Sequence, residues 1–238
     1  MVSDMRAQLI PVLLGLMSFL GCEARGPSAA RPGPTIRALY QLPVVTSLTA
    51  AHTALLLVDF QREFFDGRLP LPDGAAAADN ARRLLGWARA NGIAVVFVRN
   101  LTRPGAPAFA PDAPTSAFAP GLEPREGELV TTKPTGGAFT KTDLDERLRA
   151  RGVDTLLVAG LMAHLAVLVT AEQGSVLGYR VVAAADATAA RDLPATNGSP
   201  AVGHEALAAA SLATIADRYG DVRTTDDVLR LPLAAPQG

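Results

Sequence analysis

The sequence predicts a three-layer α/β/α fold, a doubly wound parallel sheet of about six strands with helices on both faces. Three observations carry that expectation. From Ala51 onward, short apolar runs alternate with helix-periodic segments. The first of these runs, Ala54 to Val58, has no polar face, as a strand covered on both sides requires. A chain of 238 residues, 49% of them hydrophobic, is also long enough to bury one sizeable core.

The elements follow in order. After the strand Ala54–Val58, a helix is expected from about Gly74 to Ala90, with Leu84, Leu85 and Ala88 on one face and Asn91-Gly92 as its stop. Ile93 to Val98 reads as the second strand. The stretch from Arg99 to Glu126 holds six prolines and no periodicity, the signature of a lid or binding loop in a compact domain. Leu129 to Thr132 is a short strand. Thr142-Asp143-Leu144-Asp145 then opens a helix as a capping box, with Leu144 and Leu148 inward and Gly152 as its C-cap. Thr155 to Ala159 is a strand, His164 to Leu177 a helix, and Arg180 to Ala185 a strand. Ala206 to Tyr219 is a helix with Ala208, Leu212, Ile215 and Tyr219 facing inward, and Asp221 to Thr224 is the last strand.

The N-terminus has a different character. Leu9 to Leu20 is a 12-residue apolar run behind Arg6, too short for a spanning helix of roughly 20 residues and of the size of a signal-peptide h-region. Its end, Phe19-Leu20-Gly21-Cys22, resembles a bacterial lipobox, in which the cysteine is lipidated. The expectation is a signal peptide over 1–22 with lipidation at Cys22, a Gly/Pro/Ala-rich tether over 23–47, a folded domain over 48–232 and a tail over 233–238. Export to the periplasm or cell envelope as a lipoprotein follows. The alternative is a mis-assigned start codon and a cytoplasmic protein.

Composition excludes several partners. The net charge is −1, with 22 basic and 23 acidic residues intermixed, so neither a nucleic-acid patch nor an acidic tail is present, and the membrane would be met only through the anchor at Cys22. One cysteine in the chain rules out an internal disulfide. A small molecule is the expected partner.

In open parallel sheets, sites form at the carboxyl ends of the strands. Asp59 follows the first strand in LLLVDFQREFF, where burial and neighbours tune a carboxylate. Lys133 follows LVTT. The turn Gly160 to Ala166 follows TLLVA and leads into a helix whose free amides can hold an oxyanion. Each has a plainer reading, as a cap, a solvated strand end or a simple connection.

The order and spacing of these segments resemble the isochorismatase-like hydrolase superfamily, which includes nicotinamidases and N-carbamoylsarcosine amidohydrolases, over roughly Leu48 to Leu231. Asp59 with Gln61 and Phe64 matches its D-x-Q motif, and Lys133 with Ala138 and Phe139 its lysine motif. Gly178-Tyr179-Arg180-Val181, Ala185-Asp186-Ala187 and His204-Glu205 also fit. The third motif, G-x-x-T-x-x-C-V in the family, reads Gly160-Leu161-Met162-Ala163-His164-Leu165-Ala166-Val167, with alanine in place of both threonine and cysteine.

The resemblance implies a catalytic pair Asp59 and Lys133, Ala166 at the position of the missing nucleophile, and Gln61, Phe64, Met162 and His164 as substrate-binding or oxyanion candidates. It implies a homo-oligomer and no cofactor. Thiol catalysis is impossible with Ala166. The isochorismatases proper also lack the thiol, cleave a vinyl ether by protonation from the aspartate and addition of water, and read G-V-Y-A-H-x-G. Ala163-His164 and the small Ala166 resemble that branch, whereas Met162 replaces the tyrosine and the long loop lacks its D-F-W-G-like segment. Two functions follow: a thiol-independent hydrolase, or a non-catalytic relative that keeps the pocket for binding. No metal site is expected. Nicotinamidases carry an Asp/His cluster after the second strand, where this chain has Val98-Arg99-Asn100-Leu101. The histidines His52, His164 and His204 read as hydrogen-bonded structural residues.

Overall fold

The structure is a computed structural model that describes residues 33–234. The signal-peptide and lipidation expectations, Cys22 included, lie outside the described residues. At the centre stands a six-stranded, wholly parallel sheet in the order β4-β3-β2-β5-β6-β7. Its strands are β2 (Thr53–Val58), β3 (Ala94–Asn100), β4 (Leu129–Lys133), β5 (Thr155–Leu161), β6 (Arg180–Ala189) and β7 (Asp221–Arg223). The chain starts in the middle with β2, winds outward to β4, returns to β5 and winds out the other way to β7. The connections reverse between β2 and β5, and that reversal opens a crevice beyond their carboxyl ends.

Two apolar layers form because side chains alternate across each strand. Leu55 and Leu57 of β2, Val95 and Phe97 of β3, and Leu157 and Ala159 of β5 face one side. There they pack against Ala77, Ala81, Leu84, Leu85 and Ala88 of helix α2 (Gly74–Ala90). Leu56, Val58, Val96, Val98, Leu156 and Val158 face the other side. Their partners are Leu144 and Leu148 of α3 (Leu144–Arg149), Ala171 of α4 (Leu168–Val176) and Ile215. Each fully buried leucine contributes about 1.5–3 kcal/mol. The paired layers therefore fix the strand register from which the site is built.

The alternation and the α2 boundaries agree with the sequence, and several features differ from it. Strand β6 runs on to Ala189, four residues past its expected end, after a register irregularity against β5 between Val158 and Gly160. The capping box does not form. The Thr142 hydroxyl donates to the Ala138 carbonyl at 2.8 Å, and helix α3 starts at Leu144 without a side-chain cap. The last long helix divides into α5 (His204–Thr214) and a π turn over Ile215–Tyr219, and of its four expected inward residues only Ile215 is fully buried. The segment 34–47, expected to be part of a tether, is packed: α1 (Ile36–Leu39) forms a turn of helix, Val45 is buried, and Arg37 pairs with Asp221 at 2.6 Å. In the expected tail, β8 (Leu233–Ala234) pairs in parallel with β1 (Leu48–Thr49). A short helix, α6 (Thr225–Leu229), precedes it, capped by the Thr224 hydroxyl.

Candidate active site

The crevice at the β2/β5 reversal holds a cavity of about 280 Å³. Its floor is built where β2 stops. Asp59 takes up a left-handed backbone, φ +57°, which aspartate tolerates better than most residues. Its amide still donates to the Val98 carbonyl at 2.8 Å, so the sheet pins the residue at the strand end. Conformations of this kind cluster at functional sites, where the surrounding structure over-determines them.

Lys133 is the last residue of β4, two strands away, paired in register with Asn100 of β3. Its long side chain runs inward and its Nζ meets Asp59 Oδ2 at 2.6 Å. Both are buried, at 2% and 4% exposure. The second carboxylate oxygen, Oδ1, is buried and has no hydrogen-bond partner among the described residues. Burial pushes the Asp59 carboxyl up to about 6, and the charge and hydrogen bond of Lys133 only partly oppose it. An acid so placed at the cavity wall holds or releases a proton near neutrality.

The third wall comes from the end of β5. The chain leaves Leu161 through a cis peptide to Met162 and enters a π turn over Ala163–Val167 before α4. The Met162 carbonyl accepts from the amides of Leu165 and Val167, both at 3.2 Å. Ala166 lines the cavity, and no cysteine does so among the described residues. The loop after Lys133 lies flat against α4: the Ala138 amide donates to the Thr170 hydroxyl at 2.9 Å, and a Cβ on Gly137 would come within 2.7 Å of the Thr170 amide. Only glycine permits that approach.

Of the residues expected at the site, Asp59, Lys133, Phe64, Met162 and Ala166 line the cavity together. Gln61 and His164 do not. The Gln61 amide is fully buried and occupied: it donates to the carbonyls of Asn100 and Ser116 at 3.0 and 2.9 Å and accepts from the Asn100 amide at 2.8 Å. It is a strut that ties the proline-rich loop to β3, with no donor left for a substrate. His164 is not among the residues that line the cavity; its Nδ1 is buried without a partner among the described residues, and burial, with the charge of Arg191, lowers its pKa. The loop expected to act as a lid contributes Phe109, which packs on Phe64 with ring centroids 5.3 Å apart.

Sequence reasoning missed several lining residues, among them Asn100 and Arg191 at strand ends. Asn100 and Arg191 follow the rule of strand carboxyl ends, but their strands were expected to stop at Val98 and Ala185. Extending each strand to its observed end puts both at the crevice. Among the described residues, no group of three or more His, Cys, Asp or Glu side chains is placed to hold a metal ion.

A parallel α/β sheet with a buried acid–lysine pair at its topological reversal defines a hydrolase-type small-molecule site. The isochorismatase domain model matches residues 53–227, and the chain belongs to the isochorismatase family. It is 32% identical over 82% of its length to the secreted isochorismatase effector Isc1 of Verticillium dahliae, covering 98% of that protein. It is 30% identical over 74% of its length to the maleamate amidohydrolase of Pseudomonas putida, covering 85% of it. The crystal structure of an isochorismatase from Pseudomonas putida KT2440 superposes with a TM-score of 0.76 at 33% identity, covering 82% of this chain and 99% of that one. The protein is thus an isochorismatase-family hydrolase by descent and fold.

Proposed function

We propose that the protein hydrolyses a small molecule without a thiol, with Asp59 as the proton-transferring group. The observation that carries this reading is the Asp59–Lys133 pair on the cavity floor, with Oδ1 of Asp59 buried and without a hydrogen-bond partner among the described residues. A pure binding site has no need of a buried ion pair, whose desolvation is costly. In a vinyl ether, protonation of the enol carbon by Asp59 gives an oxocarbenium ion. Water adds to it, and the resulting hemiketal breaks down to a ketone and an alcohol while Asp59 recovers its proton. Lys133 orients the carboxyl and supplies positive charge, and the amides of Met162 and Ala166 polarise the developing oxygen. An amide-like substrate would use the same groups with Asp59 activating water as a base.

The test is a screen of enol ethers and small amides followed by Asp59→Asn. We expect a loss of at least about a hundredfold in kcat, the size of a general acid–base contribution. Unchanged turnover sinks the enzyme reading; a pocket that binds and never turns over makes the chain a binding relative. Ala166→Cys, which places a thiol beside Asp59, is expected to reveal amidase activity absent from the native protein. Export is in keeping with the Verticillium dahliae relative, a secreted effector. Lipidation at Cys22 and assembly into a homo-oligomer complete the proposal. Loss of fatty-acid labelling in Cys22→Ser checks the first, and sedimentation the second.

A further inference from the structure

We infer that the segment 36–44 is a membrane-contact face, which seats the folded body on a phospholipid bilayer with its cavity turned toward the aqueous side. The inference rests on the anchor proposed at Cys22 and adds to it a second contact, made by the folded body itself. Helix α1 is built inside out. Arg37, its one charged residue, turns inward to Asp221 at 2.6 Å, and its side chain is 16% exposed. Ile36, Leu39 and Tyr40, spaced i, i+3, i+4, share a face that stands in solvent, with Leu39 65% and Tyr40 72% exposed. Leu42 and Val44 follow, also exposed. Among the described residues, five of the nine large exposed hydrophobic side chains therefore fall within nine positions. A surface helix ordinarily hides its apolar residues and shows its charge, and a cluster that does the reverse marks a contact surface.

Three observations name a bilayer as the occupant. A tyrosine among leucines suits the lipid interface, where the ring is buried and the hydroxyl stays wet. The charge is complementary as well: no acid occurs between Glu23 and Asp59, while Arg25 and Arg31 precede the face, so this stretch offers anionic headgroups only positive charge. The chain length agrees. Ten residues, 23–32, separate Cys22 from the described body and span at most about 35 Å, which keeps the face within reach of a membrane that holds the cysteine. Orientation follows from the sheet. The segment is tied to Asp221, the first residue of β7, at the amino end of the parallel strands. The cavity opens at the carboxyl ends of β2, β4 and β5, so a body seated on 36–44 presents it to soluble small molecules.

The test uses the chain from Cys22 onward, which contains every described residue and lacks the apolar run Leu9–Leu20. Its single thiol is coupled to a maleimide lipid in vesicles of phosphatidylethanolamine and phosphatidylglycerol, or to a water-soluble maleimide as reference. Coupling stands in for lipidation, so the outcome is separate from the fatty-acid labelling of Cys22→Ser and from any turnover. Hydroxyl-radical footprinting then reads each side chain. Labelling of Leu39, Tyr40 and Val44 is expected to fall at least about fivefold on vesicles, while Leu165, half exposed at the cavity, is labelled as in the reference. Leu39→Ser combined with Tyr40→Ser, at positions too exposed to affect folding, is expected to return Val44 to the reference level. Equal labelling of the face in both states overturns the inference, as does shielding of Leu165 to the same extent or shielding of Val44 that persists in the double variant. Shielding in the reference that grows with protein concentration assigns the face to a second copy of the chain and overturns it too.

Discussion

Asp59 combines three properties that rarely meet in one residue: a left-handed backbone, near-complete burial and one oxygen without a partner. With its carboxyl pushed up to about 6, it is mostly protonated at pH 5 and mostly ionised at pH 7. If it acts as the acid on a vinyl ether, kcat/KM is expected to fall as pH rises through about 6; action as a base gives a rise instead. Stability follows with its own sign. Between the ordinary 3.8 and about 6, the folded protein holds a proton that the unfolded chain has released, so this group's stabilisation is present at low pH and is lost as pH rises through 6. Lys133→Met removes the charge that restrains the shift. The acid limb of the rate profile is then expected to move to higher pH and stability at neutral pH to drop by about 3–5 kcal/mol, as when one partner of a buried pair is removed. A Lys133→Met profile unmoved on the pH axis would mean that some other group titrates. Asp59 and Lys133 were legible in the sequence because each ends an apolar run. Gln61 was misread because its role depends on the Ser116 carbonyl, supplied by a loop with no periodicity.

At the scale of elements, β5 and β6 decide whether the crevice exists. Gly160 sits inside β5, and a Cβ there would come within 2.6 Å of the Val58 carbonyl oxygen and 2.8 Å of Val58 Cβ, the residue just before Asp59. Gly160→Ala is expected to destabilise the fold by about 3 kcal/mol or more through overpacking and to displace Asp59, read by denaturant unfolding and by ligand binding. A variant as stable as the native chain would show that β2 and β5 can part without consequence. The chain beyond β6 forms a narrow antiparallel loop, with Leu193 bridged to Val202 and Thr196 to Ser199. Its base is held where Asp192 Oδ1 accepts from the His204 amide and meets the His204 ring, each at 2.7 Å. Asp192 raises the pKa of His204, so the charged form is the bound one and its contribution is lost as pH rises through that elevated value. Amide exchange in 192–203 is expected to quicken as pH rises beyond the ordinary histidine range, more than its intrinsic base dependence accounts for, and His204→Gln to abolish that extra step. Exchange in this loop with the same pH dependence in both proteins would show that the pair does not secure it. Strand existence was legible from apolar runs, while the true end of β6 was not, because Asp186 breaks the run as a side chain held by Thr225 outside the sheet core.

For the whole folded unit, the segment 34–47 carries the largest consequence. A Gly- and Pro-rich stretch reads as a tether because its composition offers few apolar residues to bury. Here, however, residues 34–47 are held by polar contacts that no periodicity reveals. Asp221, at the start of the edge strand β7, accepts from Arg37 Nη2 through Oδ1 and from the Val45 amide through Oδ2, both at 2.6 Å. Arg223, two residues on, donates to the Val45 carbonyl at 2.7 Å, and Asp217 accepts from the Ile36 amide at 2.9 Å. Val45 itself is buried against the first core layer. The segment therefore works as a cover for the β7 end of the sheet, where an unprotected edge would invite pairing with another chain. A protein that begins at residue 48 leaves the Asp221 carboxylate without either partner and uncovers the edge. Relative to a protein that begins at residue 34, it is expected to lose about 3 kcal/mol, or roughly 6–12 °C in Tm, and to self-associate more readily as concentration rises. Arg37→Ala in the longer protein should reproduce only part of the loss, since Val45 still covers the strand. Equal Tm values for the two lengths would return residues 34–47 to the role of a tether.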